Sequence, residues 1–225
     1  MSPSYGERHG RAFGGWLVLL AVGYAFSHHV GTLFTGLGDV GNTQTRWADW
    51  IDLATPYVVT GAAGGALRAA RASRLAWTVF WFAAVLYTQG HGIHLAANSV
   101  GNAVPGDHEP AHLWDEHVGH YLWYGGFALL VATLAATLSE RRHRGGVGAH
   151  LLALLVGFTN FTNSVEGQTP ILGIAVSVLF VAWGVVTRDG LGRVLLTAYG
   201  FSLLLFAAFG FWQGGFPEFS ELGWI

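Results

Sequence analysis

Apolar residues run along this chain in stretches about as long as a helix needs to cross a hydrocarbon core, roughly 20 residues each. Short polar segments separate them. The pattern predicts seven spans, at roughly Ala12–Leu33, Leu53–Ala70, Leu75–Ser99, Leu113–Leu138, Ala149–Thr162, Pro170–Thr187 and Leu191–Trp212. The second is the weakest, because Gly61-Ala-Ala-Gly-Gly65 is poorly hydrophobic, although small residues suit close helix packing. The fifth is short in purely apolar residues and is expected to extend toward Asn163 and Glu166. Arg8 and Arg11 precede an apolar run as they would in a signal peptide. No convincing small-x-small cleavage site follows, so the first helix is expected to be retained.

Arginine placement orients this layout. Under seven alternating spans, Arg8, Arg11, Arg68, Arg71, Arg74, Arg141, Arg142, Arg144, Arg188 and Arg193 fall on one side, and Arg46 alone on the other. The positive-inside rule then puts the N-terminus in the cytoplasm and the C-terminus outside. The expected fold class is all-α: a polytopic integral membrane bundle of about seven transmembrane helices, one domain over residues 1–225, in the plasma (inner) membrane. The aromatic, acidic tail from Gly214 is expected to lie along the outer interface and fold over the mouth of the bundle.

Composition agrees with a membrane protein and narrows its chemistry. Only 11% of residues are charged, against about a quarter in soluble domains. A formal net charge of −2 supplies no basic field for nucleic acid. With no cysteine, disulfides, thiolate metal sites, Fe–S clusters and cysteine nucleophiles are all excluded. Met1 is the only methionine, which removes thioether copper sites. The basic residues are all arginine, so no lysine can form a retinal Schiff base. Any metal or cofactor has to be held by imidazole, carboxylate, amide or backbone.

Histidine supplies the candidate chemistry. His28, His29, His91, His94, His108, His112, His117 and His120 fall at outer helix ends or in outer loops, and most carboxylates share that side. The charge rule explains why arginine avoids the outside, but it makes no demand for histidine there. In the third span Tyr87, His91, His94 and Asn98 are spaced i, i+4, i+7, i+11 and line one helix face. The fourth span answers with Glu116, His117, His120 and Tyr124, and Asp115 stands beside them. A polar stripe of that length cannot comfortably face lipid. Two i, i+3 imidazole pairs on antiparallel neighbours are one way that bundles build metal sites. The expected ligands are therefore His91, His94, His117 and His120, with Glu116 or Asp115 as catalytic base. His28, His29, Asp49, Asp52, Tyr87, Asn98, Tyr124, Asn163 and Glu166 are candidates for supporting this centre.

The stripe ends half-way through the span, since the inner halves of both helices are apolar. A conduction path needs polar groups throughout, so transport ranks below a site open to the outer face. A metal-dependent membrane enzyme fits most of the inventory. Zinc is the leading metal, with iron or copper behind it, and a hydrolase is favoured over an oxidoreductase. The partners expected are membrane lipids and a lipid-like substrate, in a homo-oligomer or a larger membrane complex. Three alternatives stay open: a single haem held by one imidazole from each span in an electron-transfer subunit, a metal-free acid–base isomerase or cyclase of isoprenoids, and a subunit with no site of its own. Seven helices with extracytoplasmic histidines resemble the architecture of the alkaline ceramidase-like hydrolases. Those proteins take histidines from their last span, where Leu191–Trp212 has none, so no residue role is carried over.

Overall fold

The computed structural model describes residues 5–27, 29, 37–43, 45–104, 109–139 and 145–224. Among the described residues the chain is helical, with no strand beyond an isolated bridge between Asp39 and Arg46. The helices are α1 (Tyr5–Ser27), the short α2 (Trp47–Asp52), α3 (Thr55–Ala69), α4 (Arg74–Ala103), α5 (Glu109–Leu138), α6 (Val147–Glu166), α7 (Pro170–Thr187) and α8 (Gly190–Gln213). Each of the seven expected apolar runs overlaps one helix, the second a helix of 15 residues. The end of the first, beyond Ser27, lies largely outside the described residues.

Local chemistry sets the helix ends. Ser73 Oγ accepts from Ala76 N and starts α4, and Asp189 does the same for Gly192 N at the start of α8. Proline occupies the first turn of α3 and α7, where a missing N–H costs nothing. Helix α8 stops at Gly214, which takes the left-handed conformation at φ 68°.

Helices α5, α7 and α8 are long and apolar enough to cross a membrane. Helix α4 is also long, at 30 residues. Its second half carries the Tyr87–Asn98 stripe, and those polar side chains hold it below the hydropathy of its neighbours. The candidate site is thus what weakens the membrane signal of its own helix.

Helix α4 lies against α5, α1 against α3, and α8 against both α6 and α7. One apolar core joins Leu20 and Tyr24 of α1 to Val59 and Leu67 of α3, Phe80 and Tyr87 of α4, and Trp123, Phe127 and Leu130 of α5. A second joins α5, α6, α7 and α8 around Leu138, Ala153, Phe180, Leu195 and Tyr199. Glycines set the α4–α5 distance. A Cβ on Gly90 would run into the backbone of Trp123, and one on Gly126 into the backbone of Tyr87. In α6 the buried Asn160 donates to Ser177 Oγ of α7 at 3.2 Å and Ser202 Oγ of α8 at 2.9 Å, a polar tie of the kind that pins apolar helices in register.

The two ends of the bundle differ in chemistry. The α3–α4 turn, the end of α5 and Trp183 of α7 surround a cavity of about 500 Å³. Gly145 rests against Gly190 and Val194 at the start of α8. The turns bearing Arg68, Arg71, Arg74, Arg188 and Arg193 therefore share one end, and the histidine-bearing turns of α4 and α5 lie toward the other.

Candidate metal centre

Helix α5 does not begin as a regular α-helix. Leu113–Gly119 is π-helical, and the N–H of His120 donates to the carbonyl of Asp115, five residues back. Widened turns of this kind are often found at functional sites. Here the wider turn carries Asp115 round to the face of His120, which an α-helical register would not do. Close packing at Gly90 and Gly119 then presses this segment against His94 of α4.

The result is a partly buried cluster. One ligand atom each from His94, Asp115 and His120 lies within 4.8 Å of the others. His94 Nδ1 and Asp115 Oδ1 are 2.5 Å apart. The imidazoles of His94 and His120 have centroids 4.5 Å apart. Glu116 Oε2 stands 3.0 Å from His120 Nδ1, but the geometry is not that of a hydrogen bond, and both atoms are buried without a hydrogen-bond partner. Trp123 walls the cluster, its ring stacked 5.0 Å from that of His94 and 5.7 Å from that of His120. Tyr124 stacks on His120 at 5.3 Å, beside Trp123.

The other expected residues take different places. His91 is fully buried, with Nε2 3.3 Å from Asp52 Oδ2. Asp52 in turn accepts from Thr55 Oγ1 at 2.5 Å. The ring of His91 lies 6.4 Å from that of His94, so it borders the cluster without entering the ligand triangle. His117 does not join the cluster either. In α-helical register it would share a face with His120 and Tyr124, but the π-helical turn rotates it outward. It is exposed, edge-on to His112. Tyr87 is buried one turn before His91, and Asn98 is half-buried one turn beyond His94. Asp49 pairs locally with Arg46 at 2.7 Å. His29 ties α1 to α6 through Thr162 at 3.3 Å. His28 lies outside the described residues.

The end of helix α6 lies against the cluster and is held in turn by the tail. Tyr124 OH donates to the Asn163 carbonyl at 3.0 Å. Gly167 sits so near His120 Nδ1 and Tyr124 OH that a Cβ there would crowd both. Glu166 accepts from the backbone N–H of Phe219 at 2.7 Å and of Ser220 at 3.3 Å, and Gln168 donates to Glu218. Phe216, Phe219 and Leu222 pack on Phe161, Phe206 and Phe209. Nothing in the local sequence pattern marked Thr55, Gly167 or Gln168. Each matters through a contact that only the folded bundle creates.

The tail contact is expected to respond to pH. Burial raises the Glu218 carboxyl above its ordinary value of 4.5, Glu116 and Glu166 add to that, and the Gln168 hydrogen bond opposes it. A raised value in the docked state means that docking favours the protonated form. Docking is therefore strongest below about pH 4.5 and weakens as pH rises through the raised value. Limited proteolysis of the tail is expected to run faster at pH 8 than at pH 5, and Glu218→Gln to abolish the difference.

A separate apolar cavity of about 130 Å³ lies among α1, α5, α6 and α8, lined by Leu17, Val131, Leu152 and Leu195. It has no titratable side chain but Tyr199 and does not reach the cluster. Comparison with family models, curated proteins and solved structures finds no match to the chain.

Proposed function

We propose that this chain is a seven-span plasma (inner) membrane protein, N-terminus cytoplasmic, that holds a divalent metal at His94, Asp115 and His120 on its extracytoplasmic side and hydrolyses a lipid-like substrate there. The convergence of these three side chains carries the reading. Two imidazoles and one carboxylate are a common donor set for catalytic zinc and for iron(II), and leave coordination positions open. Tetrahedral zinc spaces its ligand atoms about 3.3 Å apart, so the 4.8 Å triangle closes with small rotations of the side chains. Imidazole rings 4.5 Å apart are too close to grip opposite faces of a haem, which favours a bare ion.

In this reading Asp115 moves from base to ligand, and Glu116 is the base. Zinc so held would supply Lewis acidity. Glu116, beside His120, would serve as the base that accepts a proton from the attacking water. Asp52 holds His91 against Trp123 and keeps that wall of the site rigid.

The test is an assay of metal-loaded protein on ester- and amide-linked amphiphiles. Glu116→Gln is expected to keep the metal and lose activity by about 10²–10⁴-fold, the usual worth of a general base. Hydrolysis that survives Glu116→Gln, or that persists in metal-free protein, would overturn the assignment.

A further inference from the structure

The apolar cavity among α1, α5, α6 and α8 has room for a ligand and stands apart from the metal centre. Its volume is about 130 Å³, and Leu17, Val131, Leu134, Leu152, Val156 and Leu195 supply most of its wall. Gly14 and Val18 of α1 complete one side. Val18 is 48% exposed, and a Cβ on Gly14 would meet no atom within 4 Å. The cavity therefore opens along α1 at the surface of the bundle, where a membrane-spanning protein meets lipid.

Of the side chains that line it, only Tyr199 of α8 carries a polar atom. Tyr199 is 1% exposed, with its ring stacked on Phe180 of α7 at 4.6 Å. Its hydroxyl is buried and has no hydrogen-bond partner. That hydroxyl is close enough to Tyr24 of α1 to interact with it electrostatically, so it extends from α8 toward the α1 side of the cavity. Tyr24 in turn stacks on Phe127, a wall residue, at 3.8 Å. An unpaired buried O–H is costly. Phenylalanine would fill the same space without that cost, yet tyrosine stands there.

These walls select the occupant. A buried water needs about two to four polar partners, and one hydroxyl does not supply them. A hydrocarbon fits the walls but leaves the phenol unpaired. An alcohol paired with the phenol leaves one O–H without an acceptor. A carbonyl oxygen needs only the donor that Tyr199 offers. We propose that this cavity binds a lipid-soluble carbonyl compound, its ring-sized apolar portion between the leucine and valine walls and its oxygen accepting from the Tyr199 hydroxyl. An apolar cavity of about 150 Å³ takes up benzene, which sets the scale of the enclosed part. Any longer chain on the same ligand leaves past Gly14 and Val18.

The probes are acetophenone and its hydrocarbon isostere α-methylstyrene, titrated into purified protein in detergent. Affinity is read from the rise in thermal midpoint, and the carbonyl stretch from infrared spectra. Each affinity is compared between wild type and variant, so that partition into micelles cancels. Wild type is expected to bind acetophenone saturably and to move its carbonyl band to lower wavenumber. Tyr199→Phe is expected to weaken acetophenone by about three- to ten-fold, the worth of one hydrogen bond, to abolish the band shift and to leave α-methylstyrene unchanged or tighter. Its midpoint without ligand should not fall, since the substitution removes an unpaired group. Val131→Phe, which fills the cavity, should lose both ligands. Four outcomes overturn the proposal: no saturable binding of acetophenone by wild type, equal changes for the two ligands in Tyr199→Phe, a fall in the ligand-free midpoint of that variant, or binding that survives in Val131→Phe. Should Val131→Phe fail to fold, the Tyr199→Phe comparison decides alone.

Discussion

Alanine at His94, Asp115 or His120 is expected to lower bound metal from about one ion per chain to less than a tenth, while leaving helix content unchanged. Each supplies one of the three atoms of the triangle, and a site reduced to two donors does not hold zinc against a chelator. The sharper half of the expectation concerns the residues that stay outside. His117→Ala should keep full metal content, because the π-helical turn has carried that side chain to the exposed face. His91→Ala should also keep it, since its Nε2 faces Asp52 and not the triangle. Elemental analysis of the five variants decides among three outcomes. Loss in the first three alone supports the triangle. Loss in all four histidine variants supports a tetra-imidazole site and sinks the π-helical register. Metal absent from the wild type removes the enzyme reading with it.

The fold was legible in the sequence because lipid imposes a simple rule: a backbone in hydrocarbon must satisfy its own hydrogen bonds, so apolar runs of sufficient length become helices. The stripe from Tyr87 to Asn98 was equally legible, since a 3.6-residue period fixes which side chains share a face. What failed to show was the local departure from that period. An α-helical reading puts His117 beside His120 and leaves Asp115 off to one side. The one-residue widening at Leu113–Gly119 reverses those two assignments. No propensity marks such a turn, because it is set by how Gly119 and Gly90 let α5 settle on α4. Glu166 and Asn163 close α6 beside Gly167, which lies against His120 and Tyr124. Their work, capping the tail and holding Tyr124, depends on partners 39 to 54 residues away in sequence.

The same contact surface gives the largest expected loss of stability, and neighbouring glycines supply their own controls. A methyl group on Gly126 would meet the amide nitrogen and Cα of Tyr87 and the carbonyl of Ala83, while one on Gly125 would meet nothing within 4 Å. Gly90 and Gly92 repeat the contrast on α4: the first would strike Trp123 and Gly119 backbone, the second open space. Backbone cannot rotate aside as a side chain does, so α4 and α5 must separate. Overpacking already costs about 1–3 kcal/mol where side chains can adjust, and Gly90→Ala or Gly126→Ala should reach or exceed the upper end. Gly92→Ala and Gly125→Ala remove a flexible residue from a helix without a clash, and are expected to be neutral or to stabilise by up to about 1 kcal/mol. Unfolding in mixed micelles should separate the two pairs clearly. The metal ties this packing to function, because His94 sits on α4 while Asp115 and His120 sit on α5. Variants that part the helices should therefore lose metal affinity along with stability, although neither glycine touches a ligand atom through any side chain of its own. Equal stability within each pair would mean that the two helices do not meet at Gly90 and Gly126, and the triangle of ligands would then lack the contact that assembles it.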